Sequence, residues 1–151
     1  MGTNADRYVL VVDDMAFMRR ILCNALDKLG LRSMEATNAK EAIRQVKNDP
    51  PALIFLDIVM PNGDGIEVCR WVRSQKDEHY RSIPIIICSV HRERKDIARA
   101  IAAGANDYLV KPVTSDSLKE RLAKHLPGWH DPDTVGPNTG KAPQSSTPNR
   151  P

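Results

Sequence analysis

The sequence predicts an α/β fold, a doubly wound five-stranded parallel sheet with helices on both faces, and two features carry this prediction. Short apolar runs alternate with longer segments in which apolar residues recur at helical spacing, the pattern of strands followed by helices. Strict alternation of this kind is typical of a parallel sheet covered on both faces by its connecting helices. Three of the five runs are nearly continuous, as expected of central strands.

The first 50 residues predict two strand–helix pairs. The first strand is Tyr8–Val12, and the helix after it carries apolar residues at positions 17, 21, 22, 25, 26 and 29 before Gly30 ends it. Residues 32–36 predict a short second strand. Asn38 and Glu41 have the spacing of a capping box, which predicts the start of a second helix.

Three further pairs follow in residues 53–126. The strands are predicted at Leu53–Leu56, Ile83–Ser89 and Tyr108–Val110. One apolar face indicates each helix: positions 66, 69 and 72 in the third, positions 97, 100, 101 and 104 in the fourth, and positions 118, 122 and 126 in the fifth. Thr114 or Ser115 is the predicted N-cap of the last helix.

Composition divides the chain into a lead-in of residues 1–7, a domain of residues 8–126 and a tail of residues 127–151. The tail contains six prolines, with Gly, Ser, Thr and Asn and almost no aliphatic side chains. A segment of that composition buries too little apolar surface to offset the entropy of folding. We therefore expect a disordered tail or the stub of a linker.

Composition and charge disfavour several classes of protein. No apolar run approaches the roughly 18 residues of a membrane span, and the N-terminus lacks a signal-peptide pattern, so a cytoplasmic protein is expected. The formal charge of +3 is small and the bases are interleaved with acids, which gives little support to nucleic-acid binding. Cys23, Cys69 and Cys88 lie in apolar segments without CxxC spacing, so buried, reduced thiols are expected.

Polar residues stand at the ends of four of the five predicted strands. Asp13 and Asp14 follow the first strand and Asp57 follows the third. Ser89 ends the fourth strand, and Lys111 follows the fifth. In a doubly wound sheet, ligands bind in the crevice at the carboxyl ends of the strands. These side chains are therefore expected to converge on one edge of the sheet.

Three carboxylates at one edge repel each other unless a cation is present. Mg²⁺ suits the site because it takes oxygen ligands and commonly binds through one or two carboxylates and a phosphate. Lys111 can pair with Asp57 or hold a phosphoryl oxygen, and Ser89 can donate a hydrogen bond. The set fits a carboxylate that accepts a phosphoryl group. Taken alone, Asp13 and Asp14 could instead cap the next helix.

Four motifs, YVLVVDD, LDIVMPNGDG, IPIIICS and YLVKP, occur in this order along the chain. They resemble the receiver domain of two-component response regulators, and their layout is most similar to single-domain chemotaxis-type regulators. The resemblance covers Tyr8 to Leu126. It implies a flavodoxin-like sheet with the strand order 2-1-3-4-5.

The resemblance also implies the chemistry of the crevice. Asp57 would be the phosphoacceptor. Mg²⁺ would be held, directly or through water, by Asp13, Asp14, Asp57 and the backbone carbonyl of Val59. Lys111 would contact the phosphate.

Further residues of the motifs would connect or shape the site. Ser89 would be the switch hydroxyl and Tyr108 the aromatic residue coupled to it, while Pro112 would follow a cis peptide bond. Pro61 and Gly65 belong to the turn after the phosphoacceptor, and Gly65 is expected to adopt a backbone conformation that a side chain would oppose.

Three positions are expected to tune the reaction. Val90 stands where receiver domains have a small residue, so its branched side chain should slow the approach of small phosphodonors to Asp57. Val59 and His91 lie two positions past Asp57 and Ser89, near the path of the hydrolytic water in such domains. We expect the acyl phosphate lifetime to differ from that of chemotaxis regulators with polar residues there.

The expected function is a phosphorylation switch rather than a turnover enzyme, because no separate general base stands out. A histidine kinase or histidine phosphotransfer protein would donate the phosphoryl group. The fourth helix, fifth strand and fifth helix would present the face that meets a downstream protein. The mixed charge of the fourth helix suits a homodimer or a foreign partner equally. Alternatives are the receiver portion of a longer DNA-binding regulator or hybrid kinase, and a phosphorylation-independent interaction domain.

Overall fold

The computed structural model describes residues 7–60 and 65–134. Its five strands are all parallel and lie in the order β2-β1-β3-β4-β5. They are β1 (Tyr8–Val12), β2 (Arg32–Ala36), β3 (Leu53–Leu56), β4 (Ile85–Ser89) and β5 (Asp107–Val110). The predicted doubly wound α/β class is therefore confirmed, and so is the strand order that the resemblance implied.

Six helices occur within the described residues: α1 (Ala16–Lys28), α2 (Ala39–Asn48), α3 (Gly65–Arg73), α4 (Glu78–Arg81), α5 (Arg94–Ala102) and α6 (Ser115–His125). Five correspond to the predicted helices, whereas the sequence pattern gives no sign of α4. This short helix buries none of its residues, so it has no apolar periodicity to detect. It begins at Asp77, whose carboxylate accepts a hydrogen bond from the backbone N–H of His79 at 2.9 Å.

The sheet separates two apolar layers, because successive strand residues point to opposite faces. Val11 and Phe55 belong to the layer that also contains the buried residues of α1 and α6. Val12 and Leu56 belong to the opposite layer, together with buried residues of α2, α3 and α5. Strands β1, β3 and β4 are buried along their whole lengths, which explains their continuous apolar runs.

Side-chain caps begin α2 and α6 as the sequence predicts. Asn38 Oδ1 accepts a hydrogen bond from the backbone N–H of Glu41 at 2.8 Å. Thr114 Oγ1 accepts from the backbone N–H of Ser117 at 3.1 Å, so Thr114 is the cap at the last helix. The Glu41 carboxylate turns back to the N–H of Thr37 at 2.7 Å, one residue earlier than a standard capping box requires.

Three residues that the helical stripes assign to the core are instead exposed. Phe17 and Ile21 on α1 are 72% and 47% exposed, and Ile101 on α5 is 48% exposed. Helix α1 starts at the carboxyl edge of the sheet and becomes buried only from Leu22, where it has run back over the strands. Helix α5 buries Ala100 alone, so its core-facing stripe is narrower than the pattern indicates.

Packing continues past residue 126, where the tail was expected to begin. Trp129 is buried in the α1–α6 layer, and its indole N–H donates to the carbonyl of Leu29 at 3.1 Å. Lys119 pairs with Asp131 at 3.3 Å and with Asp133 at 2.9 Å. Trp129 alone supplies a large apolar surface, which the mostly polar and proline-rich composition of the segment after residue 126 does not reveal. The predicted boundary is therefore too early, while residues 135–151 lie outside the described part of the chain.

The three cysteines are buried and form no disulfide, as expected. Burial raises the pKa of the Cys88 thiol to about 12, so this thiol is unreactive at neutral pH. Among the described helices, none is long and apolar enough to cross a membrane.

Candidate functional site

Backbone hydrogen bonds continue the sheet one residue past several strands and fix the polar residues there. The N–H of Asp13 donates to the carbonyl of Ala36 at 3.1 Å, and the N–H of Asp57 donates to the last carbonyl of β1 at 2.9 Å. At the next strands, the N–H of Lys111 donates to the carbonyl of Ser89 at 2.8 Å. The predicted residues therefore emerge together at the carboxyl edge of the sheet.

The carboxylates of Asp13, Asp14 and Asp57 form a cluster at this edge. Each contributes an oxygen atom, and these atoms lie within 4.8 Å of one another. Asp13 and Asp57 are only 4% and 9% exposed. Because water is largely removed from two of the three groups, their mutual repulsion is poorly screened and a compensating cation is needed.

Lys111 supplies one positive charge to the cluster. Its ammonium group lies 3.1 Å from Asp57 Oδ2 and also donates a hydrogen bond to Asp13 Oδ2. Burial alone would lower the pKa of Lys111, but the hydrogen bond to Asp13 and the charges of both aspartates outweigh burial and raise that pKa. Lys111 is therefore charged at neutral pH and offsets part of the negative charge.

Asp57 is held in a fixed orientation in a poorly solvated place. Its Oδ1 accepts a hydrogen bond from the backbone N–H of Val59 at 3.0 Å, while Oδ2 faces Lys111. Desolvation raises the pKa of Asp57 above its ordinary value, outweighing the hydrogen bond from Val59 and the charge of Lys111. A carboxylate that is oriented, accessible from the edge and weakly solvated is suited to act as a nucleophile.

Helix capping does not account for the two adjacent aspartates. The N-cap of α1 is Met15, which makes no side-chain cap hydrogen bond, and the first turn of α1 contains no acidic residue. Asp13 Oδ1 accepts from the backbone N–H of Met15 at 2.9 Å, which shapes the loop before the helix. The aspartates therefore face the crevice rather than the helix end.

Arg19 is a residue of the site that the sequence does not reveal. Its Nη1 donates to the backbone carbonyl of Asp13 at 2.8 Å, and its Nε pairs with Glu35 on β2 at 2.8 Å. These contacts fasten the loop that carries Asp13 and Asp14 to the edge strand. Arginines on amphipathic helices are common, so no local pattern distinguishes this one.

Ser89 and Tyr108 both contact the loop that leads into α5. Ser89 is fully buried, and its Oγ accepts from the backbone N–H of His91 at 3.2 Å. The Tyr108 hydroxyl donates to the carbonyl of His91 at 2.6 Å. Burial raises the pKa of Tyr108, although the hydrogen bond with Ser89 opposes that rise. The two predicted switch residues are thus joined through one backbone segment.

The three tuning residues lie at the rim. Val59 is 53% exposed and Val90 is 66% exposed, so both present apolar surface to solvent near the crevice. The His91 side chain is also largely exposed, and its Nδ1 lies 3.8 Å from Asp96 Oδ2. Their effects on phosphodonor access and acyl phosphate lifetime stay predictions.

Pro112 and Gly65, two of the residues expected to shape the site, lie in the described part of the chain. The Lys111–Pro112 peptide bond is cis, as the resemblance implied. Gly65 has a backbone conformation that a side chain would oppose, as expected, although its φ is not positive. Space is what requires glycine there: a Cβ would lie 2.1 Å from the backbone oxygen of Asp57. Pro61 lies outside the described residues.

A second carboxylate, Asp107 at the start of β5, has a different environment. Its Oδ2 is 2.7 Å from His125 Nε2, and its Oδ1 is 3.1 Å from Arg121 Nε and accepts from the N–H of Tyr108 at 2.8 Å. Although burial opposes ionisation, the hydrogen bonds with His125 and Tyr108 and the charge of Arg121 lower the pKa of Asp107. His125 is half-buried, because its side chain faces this carboxylate.

Comparison with protein families and curated proteins gives a consistent result. The model of the response regulator receiver domain matches residues 9–123. The chain is 38% identical over 119 residues to the chemotaxis protein CheY of Bacillus subtilis, covering 78% of this chain and 96% of CheY. It is 38% identical over 114 residues to the KDP operon transcriptional regulatory protein KdpE of Escherichia coli, covering 76% of this chain and 48% of KdpE. The chain thus spans about half the length of the transcriptional regulators that it matches.

Solved structures share the same fold. The chemotaxis protein CheY4 of Vibrio cholerae aligns with a TM-score of 0.73 at 28% identity, covering 80% of this chain and 98% of that protein. A two-component response regulator of Clostridium difficile aligns with a TM-score of 0.72 at 28% identity, covering 80% and 95%.

Proposed function

The chain belongs to the response regulator receiver domain family, and from that premise we propose that Asp57 accepts a phosphoryl group from a phosphohistidine donor. The observation that carries the proposal is the arrangement around Asp57. Two further carboxylates lie within 4.8 Å of its own, and Lys111 bridges Asp57 and Asp13. Such a crowded, partly desolvated group of charges is unfavourable for stability alone and suits a site that receives a charged group.

The transfer forms one bond and breaks another. A carboxylate oxygen of Asp57 attacks phosphorus and forms the P–O bond of an acyl phosphate, while the P–N bond of the donor breaks and its electron pair goes to the imidazole nitrogen. The Lys111 ammonium, 3.1 Å from Oδ2, can then pair with the phosphoryl oxygens. The Val59 N–H holds the other carboxylate oxygen and keeps Asp57 oriented during the attack.

The oxygen-only donor set at the site fits Mg²⁺. Asp13, Asp14 and Asp57, with the backbone carbonyl of Val59, would hold the ion. When bound, Mg²⁺ supplies charge neutralisation to the carboxylates and the phosphoryl oxygens. Lys111 supplies part of the same neutralisation from the chain itself, and Arg19 holds the loop bearing Asp13 and Asp14 in place.

The modified state is proposed to act as a cytoplasmic signal rather than as an intermediate of a turnover enzyme. The donor would be a histidine kinase or a histidine phosphotransfer protein. Ser89 and Tyr108 join the site to the loop before α5 through His91, so a change at Asp57 would reach the face formed by α5, β5 and α6. A downstream protein would bind this face with an altered affinity.

A second arrangement, a receiver that forms one part of a longer regulator, is favoured by one observation. The matched transcriptional regulators are about twice as long as the stretch they share with this chain. The phosphoacceptor chemistry would be the same in that arrangement, and the output would come from another domain.

Intact-mass spectrometry after incubation with acetyl phosphate or phosphoramidate tests the proposal. Wild type is expected to gain one phosphoryl group only when Mg²⁺ is present, and Asp57→Asn is expected to gain none. Asp107→Asn is the matched control, because it removes another partly buried, cation-paired carboxylate at a strand end and should leave the gain intact.

A modified Asp57→Asn protein would contradict the assignment of Asp57. If wild type gains nothing from either donor, Val90→Ala tests whether the branched side chain blocks the approach. An unmodified Val90→Ala protein would overturn the proposal and favour an interaction domain that does not depend on phosphorylation.

A further inference from the structure

We propose that the cavity between α1 and α6 binds a linear aliphatic carboxylate of the size of a medium-chain fatty acid. This α1–α6 cavity is lined by Met18, Leu22 and Ala25 of α1, by Leu118 of α6 and by further residues of the sheet and the loop before α6. Binding can be measured without phosphorylation, whereas its regulatory effect on Asp57 rests on the proposed function.

The α1–α6 cavity is large enough for a small molecule. Its volume of about 540 Å³ lies within the roughly 300–1,000 Å³ that is typical of small-molecule sites. Helix α1 and the residue after it line the cavity from Met18 to Leu29, and this stretch is about 16 Å long. A cavity that follows a helix over this distance fits an extended chain better than a compact molecule.

Apolar side chains form the floor and much of the walls of this cavity. Val11, Phe55 and Cys88 form the floor, and all three are buried residues of the sheet. Leu22 of α1 and Leu118 of α6 lie on the two walls. An aliphatic chain gains free energy when it leaves water for such a surface. The body of the ligand is therefore expected to be a hydrocarbon.

The charges around the cavity call for an anion. Among the described residues, the charged ones that line it are Asp13, Lys28, Lys111 and Asp133. Asp13 pairs with Lys111, and Asp133 pairs with Lys119 at 2.9 Å. Lys28 forms no ion pair with any residue that the structure describes. A carboxylate on the ligand would supply the missing negative charge.

Asn24 adds a hydrogen-bond donor beside Lys28. The two residues are four apart on α1, so their side chains are neighbours on the helix surface. Both line the cavity, and the Asn24 amide makes no hydrogen bond to a described residue. Its NH₂ group can therefore donate to a carboxylate oxygen. The ligand carboxylate is placed at the end of the cavity beside the last turn of α1, and its chain extends toward the start of the helix.

The other end of the cavity meets the proposed phosphoacceptor site. Asp13, Lys111 and Pro112 line it there. A hydrocarbon chain at this end would displace water from the ion pair of Lys111 with Asp13 and strengthen it, because the two charges are then less screened. Lys111 would be held on Asp13 and less available to an incoming phosphoryl group. The ligand is therefore expected to slow phosphorylation of Asp57 by about threefold.

Tryptophan fluorescence of the full chain measures the binding. Trp129 is buried in the same layer, and its indole N–H donates to the carbonyl of Leu29, which lines the cavity. Trp71 packs on the opposite side of the sheet, so Trp71→Phe leaves Trp129 as the single reporter. Decanoate is expected to change the emission with a dissociation constant below about 1 mM. Decylammonium, which has a chain of similar length and the opposite charge, should bind at least about fivefold more weakly.

Charge reversal tests the contact between Lys28 and the carboxylate. In the Trp71→Phe protein, Lys28→Glu should weaken decanoate binding about tenfold and strengthen decylammonium binding, so that the preference reverses. Lys40→Glu is the matched control, because Lys40 is also an exposed lysine without an ion pair to a described residue but lies on α2, on the other side of the sheet. It should leave both affinities within about twofold.

Filling the cavity tests where the hydrocarbon chain lies. Ala25→Phe should abolish binding, because its ring would occupy the space beside α1. Ala98→Phe places the same side chain on the exposed surface of α5 and should leave binding unchanged. Circular dichroism checks that both variants fold, and the Lys28 reversal decides the question if Ala25→Phe does not.

Three results would overturn the binding site: no response to decanoate, equal affinity for decanoate and decylammonium, or equal effects of the Lys28 and Lys40 reversals. A wild-type dimer that Ala25→Phe converts to a monomer in sedimentation velocity would also overturn it, because a second copy of the chain would then fill the cavity.

The rate of phosphorylation, followed by intact mass with and without saturating decanoate, tests the regulatory effect. An unchanged rate would overturn the link to Asp57. Protein that gains no phosphoryl group from either donor but still binds decanoate through Lys28 would leave the binding site standing while the phosphoacceptor proposal fails.

Discussion

Asp57 and Asp107 are both partly buried carboxylates at the ends of strands in the same sheet, yet their environments act in opposite directions. Asp57 follows β3 at the carboxyl edge, beside Asp13 and Asp14, and desolvation raises its pKa. Asp107 begins β5 at the other end, where hydrogen bonds and cations lower its pKa despite partial burial. Under the proposed function, Asp57 is placed for chemistry, whereas Asp107 is placed for stability.

The difference lies in how many partners each carboxylate has. Asp57 shares the single ammonium of Lys111 with Asp13, so the negative charge of the cluster is only partly offset. Asp107 contacts both His125 and Arg121. An under-compensated charge at a sheet edge costs stability, and a folded protein retains such a cost where function requires it.

The largest expected effect is on the rate of phosphorylation, and it comes from removing the cation beside Asp57 rather than a cation beside Asp107. Lys111→Met should slow phosphorylation of Asp57 by about a hundredfold or more, because a positive charge that stabilises the transferring group is lost. Lys124→Met, which removes a cation 3.8 Å from Asp107, is the matched control and should leave the rate unchanged. The rates are measured by intact mass against time, and similar rates for the two variants would remove the functional distinction between the carboxylates.

Neutralising each carboxylate should change stability in opposite directions. Asp57→Asn is expected to raise the free energy of unfolding at pH 7 by about 1 kcal/mol, because it relieves repulsion among poorly solvated charges. Asp107→Asn is expected to lower it by about 1–2 kcal/mol, because it weakens the charge-assisted hydrogen bond with His125 and removes the ion pair with Arg121. Urea denaturation followed by circular dichroism measures both, and changes of the same sign would contradict the comparison.

The stability changes caused by Asp57→Asn and Asp107→Asn are expected to depend differently on pH. The folded pKa of Asp57 is raised, so its penalty is present above that pKa and disappears as pH falls toward the ordinary value. The folded pKa of Asp107 is lowered, so its stabilisation is present above the ordinary value and is lost only as pH falls through the lowered pKa. Urea denaturation is measured at successively lower pH from pH 7. The higher free energy of unfolding of Asp57→Asn should disappear first, and the lower free energy of unfolding of Asp107→Asn should disappear only at a lower pH.

The smallest expected effect concerns the exposed apolar rim of the Asp57 site. Val59 is 53% exposed and follows Asp57, the proposed phosphoacceptor, by two residues, and Val59→Asn replaces an apolar surface with a group that can orient water. The rate of dephosphorylation should change about threefold to tenfold. The decay is followed by intact mass after the donor is removed, and an unchanged rate would show that residue 59 does not tune the lifetime.

Local patterns predicted the features that depend on neighbours in the chain. Asp13, Asp57 and Lys111 could be placed at one edge because each follows an apolar run and parallel strands end together. Arg19, Trp129 and the partners of Asp107 could not be predicted, because their contacts join residues distant in sequence. Phe17 and Ile101 fit helical stripes but are exposed, since periodicity cannot tell where a helix extends beyond the sheet or packs narrowly against it.

The site of modification is measured most directly by trapping the acyl phosphate. Protein treated with phosphoramidate and Mg²⁺ would be reduced with borohydride, which converts an aspartyl phosphate to homoserine, and its peptides would be sequenced by mass spectrometry. Homoserine at position 57 and aspartate at positions 13, 14 and 107 is the predicted result. Homoserine at any of the other three positions, or at none in a protein whose intact mass has increased, would contradict the assignment of Asp57 as the phosphoacceptor.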